Sequence, residues 1–326
     1  MQQTATTADQ VGTPLRAMGF LVAGISIFAF QDVIIKWLSG DYPVHQILFV
    51  RSLTALGPLW LIVHLDGGWE ILRTRRLGLH LLRACVAFGA YTSFYLAVAA
   101  MPLADATALI VSAPLFVTAL SVPILGERVG LRRWLAVVVG FLGVIVMLRP
   151  GAGVFEPAGL FAVACALLYT LVIMMTRRLG RTDSGASMAV YVTLFYLPAS
   201  ALAGLVLSDG ALAGDGHASL QFLFREWSWP GWGDLGLMAV TGLIAGFAFY
   251  FLSQAYRLAE ASAIAPFEYV ALPWSVVFGY LFWGDVPGAA TLAGIALVVG
   301  SGIYVLHREA VLGRRIVTGR GPRPRV

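Results

Sequence analysis

Long apolar runs, separated by short polar or charged turns, occupy almost the whole sequence. Each run has about the ~20 residues that an α-helix needs to cross the ~30 Å hydrocarbon core of a bilayer. Because backbone polar groups in lipid must be satisfied within the segment, the runs predict helices rather than isolated strands. The ten predicted spans are 15–38, 44–65, 78–99, 103–125, 131–149, 156–176, 186–207, 233–256, 262–283 and 288–307.

Two stretches of the chain share one plan, in which two apolar runs flank a turn made of glycine and an acid. The first stretch covers 101–148 with its turn at Gly126-Glu127, and the second covers 259–306 with its turn at Gly284-Asp285. The two turns are 158 positions apart, and the earlier spans correspond at an offset of 140 positions. This pattern is typical of the internal repeats from which many transporters are built.

The repeat predicts an all-α membrane protein of ten transmembrane helices, arranged as two five-helix units. An odd number of spans brings the chain out on the opposite side, so the second unit enters the membrane inverted. The predicted segments are a polar N-terminal tail over 1–14, a first repeat over 15–149, a second repeat over 156–307 and a basic C-terminal tail over 308–326.

The basic residues are concentrated in alternate loops and in both terminal segments. Seventeen of the 22 lysines and arginines lie on that side of the predicted helices, and the opposite loops hold only Arg149 and Arg225. Cytoplasmic loops of membrane proteins carry an excess of Lys and Arg. Both termini are therefore predicted to be cytoplasmic, with Glu127 inside and Asp285 outside.

Composition agrees with a protein of many membrane spans. Of the residues, 59% are hydrophobic and 12% are charged, and the mean hydropathy is +0.82. A soluble domain of this length needs a more polar composition to form its surface. The formal net charge of +5 does not indicate nucleic acid as a partner, because the arginines lie in loops between apolar spans. The expected partners are the lipid bilayer of the cell inner membrane and a small-molecule substrate, with a homodimer left open.

Motifs for ATP hydrolysis and for catalysis are absent from the sequence. It contains no G-x-x-x-x-G-K-[ST], no H-E-x-x-H, no G-x-S-x-G and no acidic cluster suited to a metal. We therefore predict no enzymatic activity, no cofactor and no metal. A secondary transporter, in which two repeats rock about a central site, fits the pattern, and a channel or a membrane scaffold is the remaining alternative.

Four short features carry a resemblance to a known family. They are Gly126-Glu127-Arg128 at the end of the fourth span, its partner Gly284-Asp285, and the prolines Pro114 and Pro273 within the fourth and ninth spans. In these features the chain resembles the EamA-type members of the drug/metabolite transporter superfamily, over about 15–307. The resemblance implies a basket-like bundle with a central cavity, and import or export of a small metabolite.

A narrower resemblance bears on the substrate. Residues 31–37 and 42–52 are similar to the corresponding parts of bacterial EamA carriers grouped with uptake of riboflavin or S-adenosylmethionine. Both compounds are polar and aromatic. Export of amino acids or drugs is the alternative function, and the direction of transport stays open.

Four intramembrane charges occur in only one copy of the repeat. Asp32, Lys36 and Arg51 correspond to Val172, Thr176 and Tyr191, and Glu268 corresponds to Ile110. A charge at the centre of a membrane costs about 2.5–3.5 kcal/mol on insertion scales, and such residues usually face a cavity or a partner. Because the scaffold does not require them twice, we predict that these four charges serve substrate binding or coupling.

Two ion pairs are compatible with the predicted hairpins. Asp32 and Arg51 reach similar depth on either side of the first turn, and Glu268 and Arg83 reach similar depth from the other side. The alternatives are a structural clamp between helices, a charged rim for a zwitterionic or anionic substrate, or a proton-linked switch.

Aromatic side chains complete the candidate site. A cavity that carries several of them would suit a flat or cationic ligand through stacking or cation–π contact, whereas packing or lipid contact is the alternative role. The candidates for substrate binding or coupling are Asp32, Lys36, Arg51, Tyr91, Tyr95, Tyr191, Glu268 and Tyr269.

Overall fold

A computed structural model describes residues 7–125, 130–148, 157–207, 216–259 and 264–317 of the chain. All regular structure in these ranges is helical. The predicted turn Gly126-Glu127-Arg128 lies outside the described residues, whereas its counterpart Gly284-Asp285 lies within them.

Twelve α-helices and two short 3₁₀ helices follow one another in the described part of the chain. The 3₁₀ helices are Trp69–Leu72 and Ala265–Val270. The α-helices are α1 (Thr7–Leu38), α2 (Val44–Leu65), α3 (Leu77–Ala100), α4 (Leu103–Ile110), α5 (Ala113–Leu125), α6 (Leu131–Leu148), α7 (Pro157–Leu179), α8 (Gly185–Leu207), α9 (Ala218–Phe224), α10 (Trp232–Leu258), α11 (Ala271–Trp283) and α12 (Ala289–Val317).

Seven helical segments within the described ranges are long and apolar enough to cross a membrane. They correspond to the predicted spans 15–38, 44–65, 78–99, 103–125, 156–176, 186–207 and 233–256, although the fourth segment ends at Leu120. The predicted spans 131–149 and 288–307 correspond to the shorter apolar segments Trp134–Leu148 and Ala289–Val305. The predicted span 262–283 is divided between a 3₁₀ helix and α11.

Two of the predicted spans are interrupted, each just before a proline. A turn at Val111-Ser112 separates α4 from α5, and Pro114 follows it. The second 3₁₀ helix gives way to α11 at Ala271, shortly before Pro273. Proline has no N–H for the carbonyl four residues earlier, and its ring clashes with that carbonyl, so an interruption at these positions is expected.

The Gly-acid turn at Gly284-Asp285 ends α11. Gly284 adopts a φ of 70°, and the amides of Gly284 and Asp285 bond to the carbonyls of Tyr280 and Gly279. A residue in this left-handed conformation is usually glycine, because a Cβ atom is unfavourable there. The glycine of this turn therefore has a structural explanation in the helix end.

The long helices pack in pairs around one core. Helix α1 lies along α10, α3 along α7, α2 against α8 and α10, and α6 along α12. Gly242 of α10 lies so close to Arg51 and Thr54 of α2 that a Cβ atom there would clash. Small residues at such contacts let two membrane helices approach closely.

The segment 216–231 closes one end of the bundle. Ser219 donates to the Leu96 carbonyl at 2.6 Å, and Arg225 donates to the Ser39 carbonyl at 3.0 Å. Phe222 is fully buried, whereas Trp229 is 99% exposed. The segment therefore packs on the α1–α2 turn and on the end of α3.

Candidate functional site

A central cavity of about 120 Å³ lies where the interrupted segments meet α1, α3, α7 and α10. Most of its lining is apolar or aromatic, and a few polar side chains converge on it. The lining residues are Ile25, Phe28, Ala29, Asp32, Tyr91, Phe94, Leu103, Thr107, Ile110, Val111, Cys165, Tyr169, Leu252, Glu268, Ala271 and Ser275.

Two carboxylates face this cavity, Asp32 from α1 and Glu268 from the second 3₁₀ helix. Asp32 is partly exposed, and Glu268 is 7% exposed. Among the described residues, neither carboxylate forms an ion pair within 4.0 Å. The sequence comparison had selected both acids because each occurs in only one copy of the repeat.

Glu268 is linked to the opposite wall through two tyrosine hydroxyls. The Tyr256 hydroxyl donates to Glu268 Oε1 and lies 3.2 Å from the Tyr169 hydroxyl. Tyr169 itself lines the cavity. These contacts join α7, α10 and the 3₁₀ helix that carries Glu268.

Aromatic rings form much of the remaining wall. The centroids of Phe28 and Tyr91 are 5.7 Å apart, and Tyr91 meets Phe249 edge-on at 5.4 Å. A concave, largely apolar site with a few polar groups is the usual form of a small-molecule site. Carboxylates beside aromatic rings favour a ligand that is flat and carries positive charge.

Arg51 lies behind this wall and is fully buried. Its Nε donates to Gln31 Oε1 at 3.1 Å, and Gln31 Nε2 donates to the Tyr95 hydroxyl at 2.7 Å. The hairpin geometry predicted an ion pair between Arg51 and Asp32. Arg51 instead bonds to Gln31, the residue before Asp32. The guanidinium lies 5.1–6.0 Å from the centroids of four rings, those of Phe28, Tyr91, Tyr95 and Phe249.

Arg83 bonds to three other helices and not to Glu268. Its Nε donates to Thr176 Oγ1 at 2.7 Å, its Nη1 to the Met188 carbonyl at 3.1 Å and its Nη2 to Ser253 Oγ at 3.5 Å. The predicted alternative of a structural clamp describes this geometry. A second cavity of about 20 Å³ lies beside Arg83, and Tyr91 and Tyr169 line both cavities.

Lys36 is held at a helix end, away from the cavity lining. Its Nζ donates to the carbonyls of Val98 at 2.9 Å and Met101 at 2.6 Å, and it lies 5.3 Å from the Trp283 ring. The side chain thus joins the ends of α1, α3 and α11. This geometry is that of a clamp between helices.

The three other candidate tyrosines lie outside the cavity lining. Tyr95 belongs to the cluster around Arg51, and Tyr269 packs beside Gly302 of α12. The Tyr191 hydroxyl donates to the Leu72 carbonyl at 2.7 Å, and its ring lies 4.4 Å from His80. Of the four tyrosine candidates, the cavity includes Tyr91.

A polar cluster next to Tyr191 joins α3 to the loop before α8. His80 Nε2 lies 3.2 Å from Asp183 Oδ1. Burial alone would raise the pKa of Asp183, but hydrogen bonds from Thr182, Thr74 and His80 outweigh it and lower the pKa. The Asp183 carboxylate is therefore stabilised as an anion outside the membrane spans.

Sequence reasoning missed three polar residues of the site, Gln31, Tyr169 and Tyr256. At the offsets of the repeat they correspond to Leu171, Ala29 and Val98. The comparison that selected the unrepeated charges would have found them, had it been extended to uncharged polar side chains.

A comparison with protein families bears on the first part of the chain. The model of the EamA-like transporter family matches residues 15–149. These residues belong to the EamA-like transporter family. The match begins within α1 and ends just after α6, so it includes Asp32, Arg51 and Tyr91.

Proteins named as transporters are similar to this chain over most of their length. An S-adenosylmethionine uptake transporter of Rickettsia conorii is 28% identical over 302 residues, which cover 92% of this chain and 96% of that protein. A riboflavin transporter of Vibrio cholerae is 28% identical over 303 residues, covering 92% and 95%. A pseudopaline exporter of Pseudomonas aeruginosa is 26% identical over 287 residues, covering 86% and 93%.

A solved structure supports the fold. A crystal structure that is 21% identical covers 91% of this chain and 98% of its own, with a TM-score of 0.57. Together with the apolar helices and the family match, these findings identify a multi-pass transporter of the inner membrane.

Proposed function

We propose that this protein is a secondary transporter that moves a small aromatic metabolite with positive charge through its central cavity. The observation that carries the proposal is the pair of carboxylates, Asp32 and Glu268, which face one aromatic-lined cavity without an ion-pair partner within 4.0 Å among the described residues. Intramembrane acids of this kind usually mark a substrate or ion pathway.

The names of similar proteins suggest two candidate substrates. S-adenosylmethionine carries a sulfonium and an ammonium group beside an adenine ring, so its charges complement the two acids. Riboflavin has a flat ring that suits the aromatic wall but no positive charge. The two carboxylates therefore favour S-adenosylmethionine of the two, and riboflavin is the second candidate.

The proposed architecture is ten transmembrane helices in two inverted repeats, 15–149 and 156–307, between the terminal segments 1–14 and 308–326. Inversion exchanges α1 with α7 and α3 with α10, and the α1–α10 and α3–α7 contacts are related in that way. The helices that follow the two interruptions begin at Ala113 and Ala271, which are 158 positions apart. The distribution of arginines supports cytoplasmic termini.

Transport through the cavity requires a change of conformation. Sites for drug-sized ligands usually measure about 300–1,000 Å³, whereas this cavity measures about 120 Å³. Rocking of one repeat against the other would widen the cavity and open it to one side at a time. In this scheme Asp32, Glu268 and Tyr91 contact the substrate, while Lys36 and Arg83 hold helices together.

Export is the second candidate for direction, because one relative is named an exporter. Alternating access runs either way, so the same cavity would serve. The substrates to compare under this alternative are amino acids and drugs.

Transport assays in cells that lack their own carriers test the proposal. Uptake and export of labelled S-adenosylmethionine, riboflavin and aromatic amino acids are measured with and without the protein, at matched membrane expression. We expect saturable uptake of S-adenosylmethionine. Flux of riboflavin alone would overturn the preference for a cation, and no flux of any probe in either direction would overturn the proposed substrate class.

A further inference from the structure

Arg51 has hydrogen-bonding capacity that its surroundings leave unused. A guanidinium has five N–H donors, and within the described residues Nη1 and Nη2 have no hydrogen-bond acceptor, although both atoms are buried. The acceptor that is present, Gln31 Oε1, takes the Nε donor. Buried polar groups in proteins are nearly always paired, so two unpaired nitrogens on one buried cation require an explanation.

The guanidinium lies one layer of side chains behind the cavity. Phe28 and Tyr91 each line the cavity, and their ring centroids lie 6.0 and 5.8 Å from Arg51 Cζ. Movement of one ring would therefore open the guanidinium to the cavity. Gln31, which orients Arg51 through Nε, directly precedes Asp32 on α1.

The free edge of the guanidinium has the shape of a carboxylate site. Nη1 and Nη2, when Nε is already engaged, form a planar fork that binds the two oxygens of one carboxylate. The carboxylate of Asp32, the residue after Gln31, faces the cavity and is suited to an ammonium group. A carboxylate and an ammonium group bonded to the same carbon atom form the head group of an α-amino acid.

We infer that the transported molecule carries an α-amino-acid head group, with its carboxylate on Arg51 Nη1 and Nη2 and its ammonium on Asp32, reached when Tyr91 or Phe28 turns aside. This inference rests on the proposed function, and it narrows the substrate class. It favours S-adenosylmethionine and aromatic amino acids, and it excludes riboflavin, which has no carboxylate.

A purely structural role for Arg51 is the competing explanation. The four rings around the guanidinium attract it through cation–π contact. Such a role does not depend on any group of the ligand, so the ligand can be varied to separate the two explanations.

Equilibrium binding to the full-length protein in lipid nanodiscs provides the test, with matched ligands that differ only in the carboxylate. The pairs are S-adenosylmethionine with its decarboxylated form, and L-tryptophan with tryptamine. Loss of one partner of a buried charged pair weakens binding on the order of 100-fold, so we expect the ligand without a carboxylate to bind about 100-fold more weakly. This comparison uses the wild-type protein and does not depend on whether a variant folds.

Two variants of Arg51 test whether the effect of the ligand carboxylate on binding depends on this residue. We expect Arg51→Met to make the two members of a pair bind alike, and Arg51→Lys, which keeps the charge but not the fork, to leave an intermediate ratio. Arg225→Gln, a change outside the cavity, serves as the control with an unchanged ratio.

The outcomes separate this inference from the proposed function. Equal binding of both members of each pair to the wild type would overturn the Arg51 inference and leave the cationic transporter standing. Binding of riboflavin alone would overturn the inference and the preference for a cation. Absence of binding by every probe would overturn both the inference and the proposed substrate class.

Discussion

Arg51 and Arg83 are two buried arginines in the first half of the chain with opposite surroundings. Arg83 engages Nε, Nη1 and Nη2 with acceptors on α7, α8 and α10. In the described part of the chain, Arg51 engages Nε alone, and four aromatic rings surround its guanidinium. Both arginines lie within apolar helices. Their hydrogen-bond partners are therefore what distinguish a clamp between helices from a candidate binding group.

The difference predicts two separate consequences. Removal of Arg83 leaves acceptors on three helices without their donor, which affects folding. Removal of Arg51 leaves Gln31 Oε1 without its donor. Its main consequence should be weaker binding of ligands that carry a carboxylate.

Replacement of Arg83 should give the largest loss of stability. Hydrogen bonds to charged groups contribute about 1.5–3 kcal/mol each, so we expect Arg83→Met to lower the free energy of unfolding by about 3 kcal/mol or more. Denaturation of the purified protein in detergent measures this change. A variant as stable as the wild type would contradict the role of Arg83 as a clamp.

Lys36→Met should have a smaller effect of the same kind. The change removes two hydrogen bonds to the carbonyls of Val98 and Met101. Because Lys36 is only half-buried and water can satisfy part of what is lost, we expect stability to fall by about 1.5–3 kcal/mol rather than by twice that amount. Because Lys36 does not line the cavity, the substrate KM of the folded protein should stay unchanged. A KM that rises while stability is retained would place Lys36 in the binding site.

Tyr256→Phe should reduce transport and leave the fold intact. It removes the hydroxyl between Glu268 and Tyr169, and a single hydrogen bond contributes about 0.5–1.5 kcal/mol, so transport should fall up to about tenfold. Tyr250→Phe, a hydroxyl change bonded to Gln254 at 3.0 Å, is the matched control. Equal transport by both variants would contradict a role of the Tyr256 hydrogen bond in transport.

The smallest effect concerns Asp183 and pH. Hydrogen bonds lower the pKa of Asp183 in the folded protein, so the stability it contributes is present above the unfolded pKa and is lost as pH falls through the folded pKa. Between pH 6 and acidic pH, the free energy of unfolding should therefore fall less steeply for Asp183→Asn than for the wild type. A slope identical to that of the wild type would contradict the role of the Asp183 hydrogen bonds.

Helix positions were largely predictable, because length and hydropathy are the requirements for crossing a bilayer. The interruptions near Pro114 and Pro273 follow from the chemistry of proline. The depth of Arg51 was also predictable, since it reaches the residue next to Asp32.

The choice of partner was not predictable for either arginine. Gln31 rather than Asp32 bonds to Arg51, because rotation of α1 against α2 depends on side-chain packing that helix length does not determine. Glu268 similarly bonds to Tyr256, and Arg83 to Thr176. A predicted depth therefore identifies candidates for contact, and tertiary packing selects among them.

The most direct test of the transport site is counterflow of labelled S-adenosylmethionine in proteoliposomes. Wild type, Asp32→Asn, Glu268→Gln and Asp105→Asn would be compared, the last being an acid bonded to Thr291 at 2.8 Å outside the cavity lining. We predict saturable counterflow by the wild type and by Asp105→Asn, and a loss on the order of 30-fold or more in both cavity variants at equal protein incorporation. Normal counterflow by both cavity variants would contradict the account.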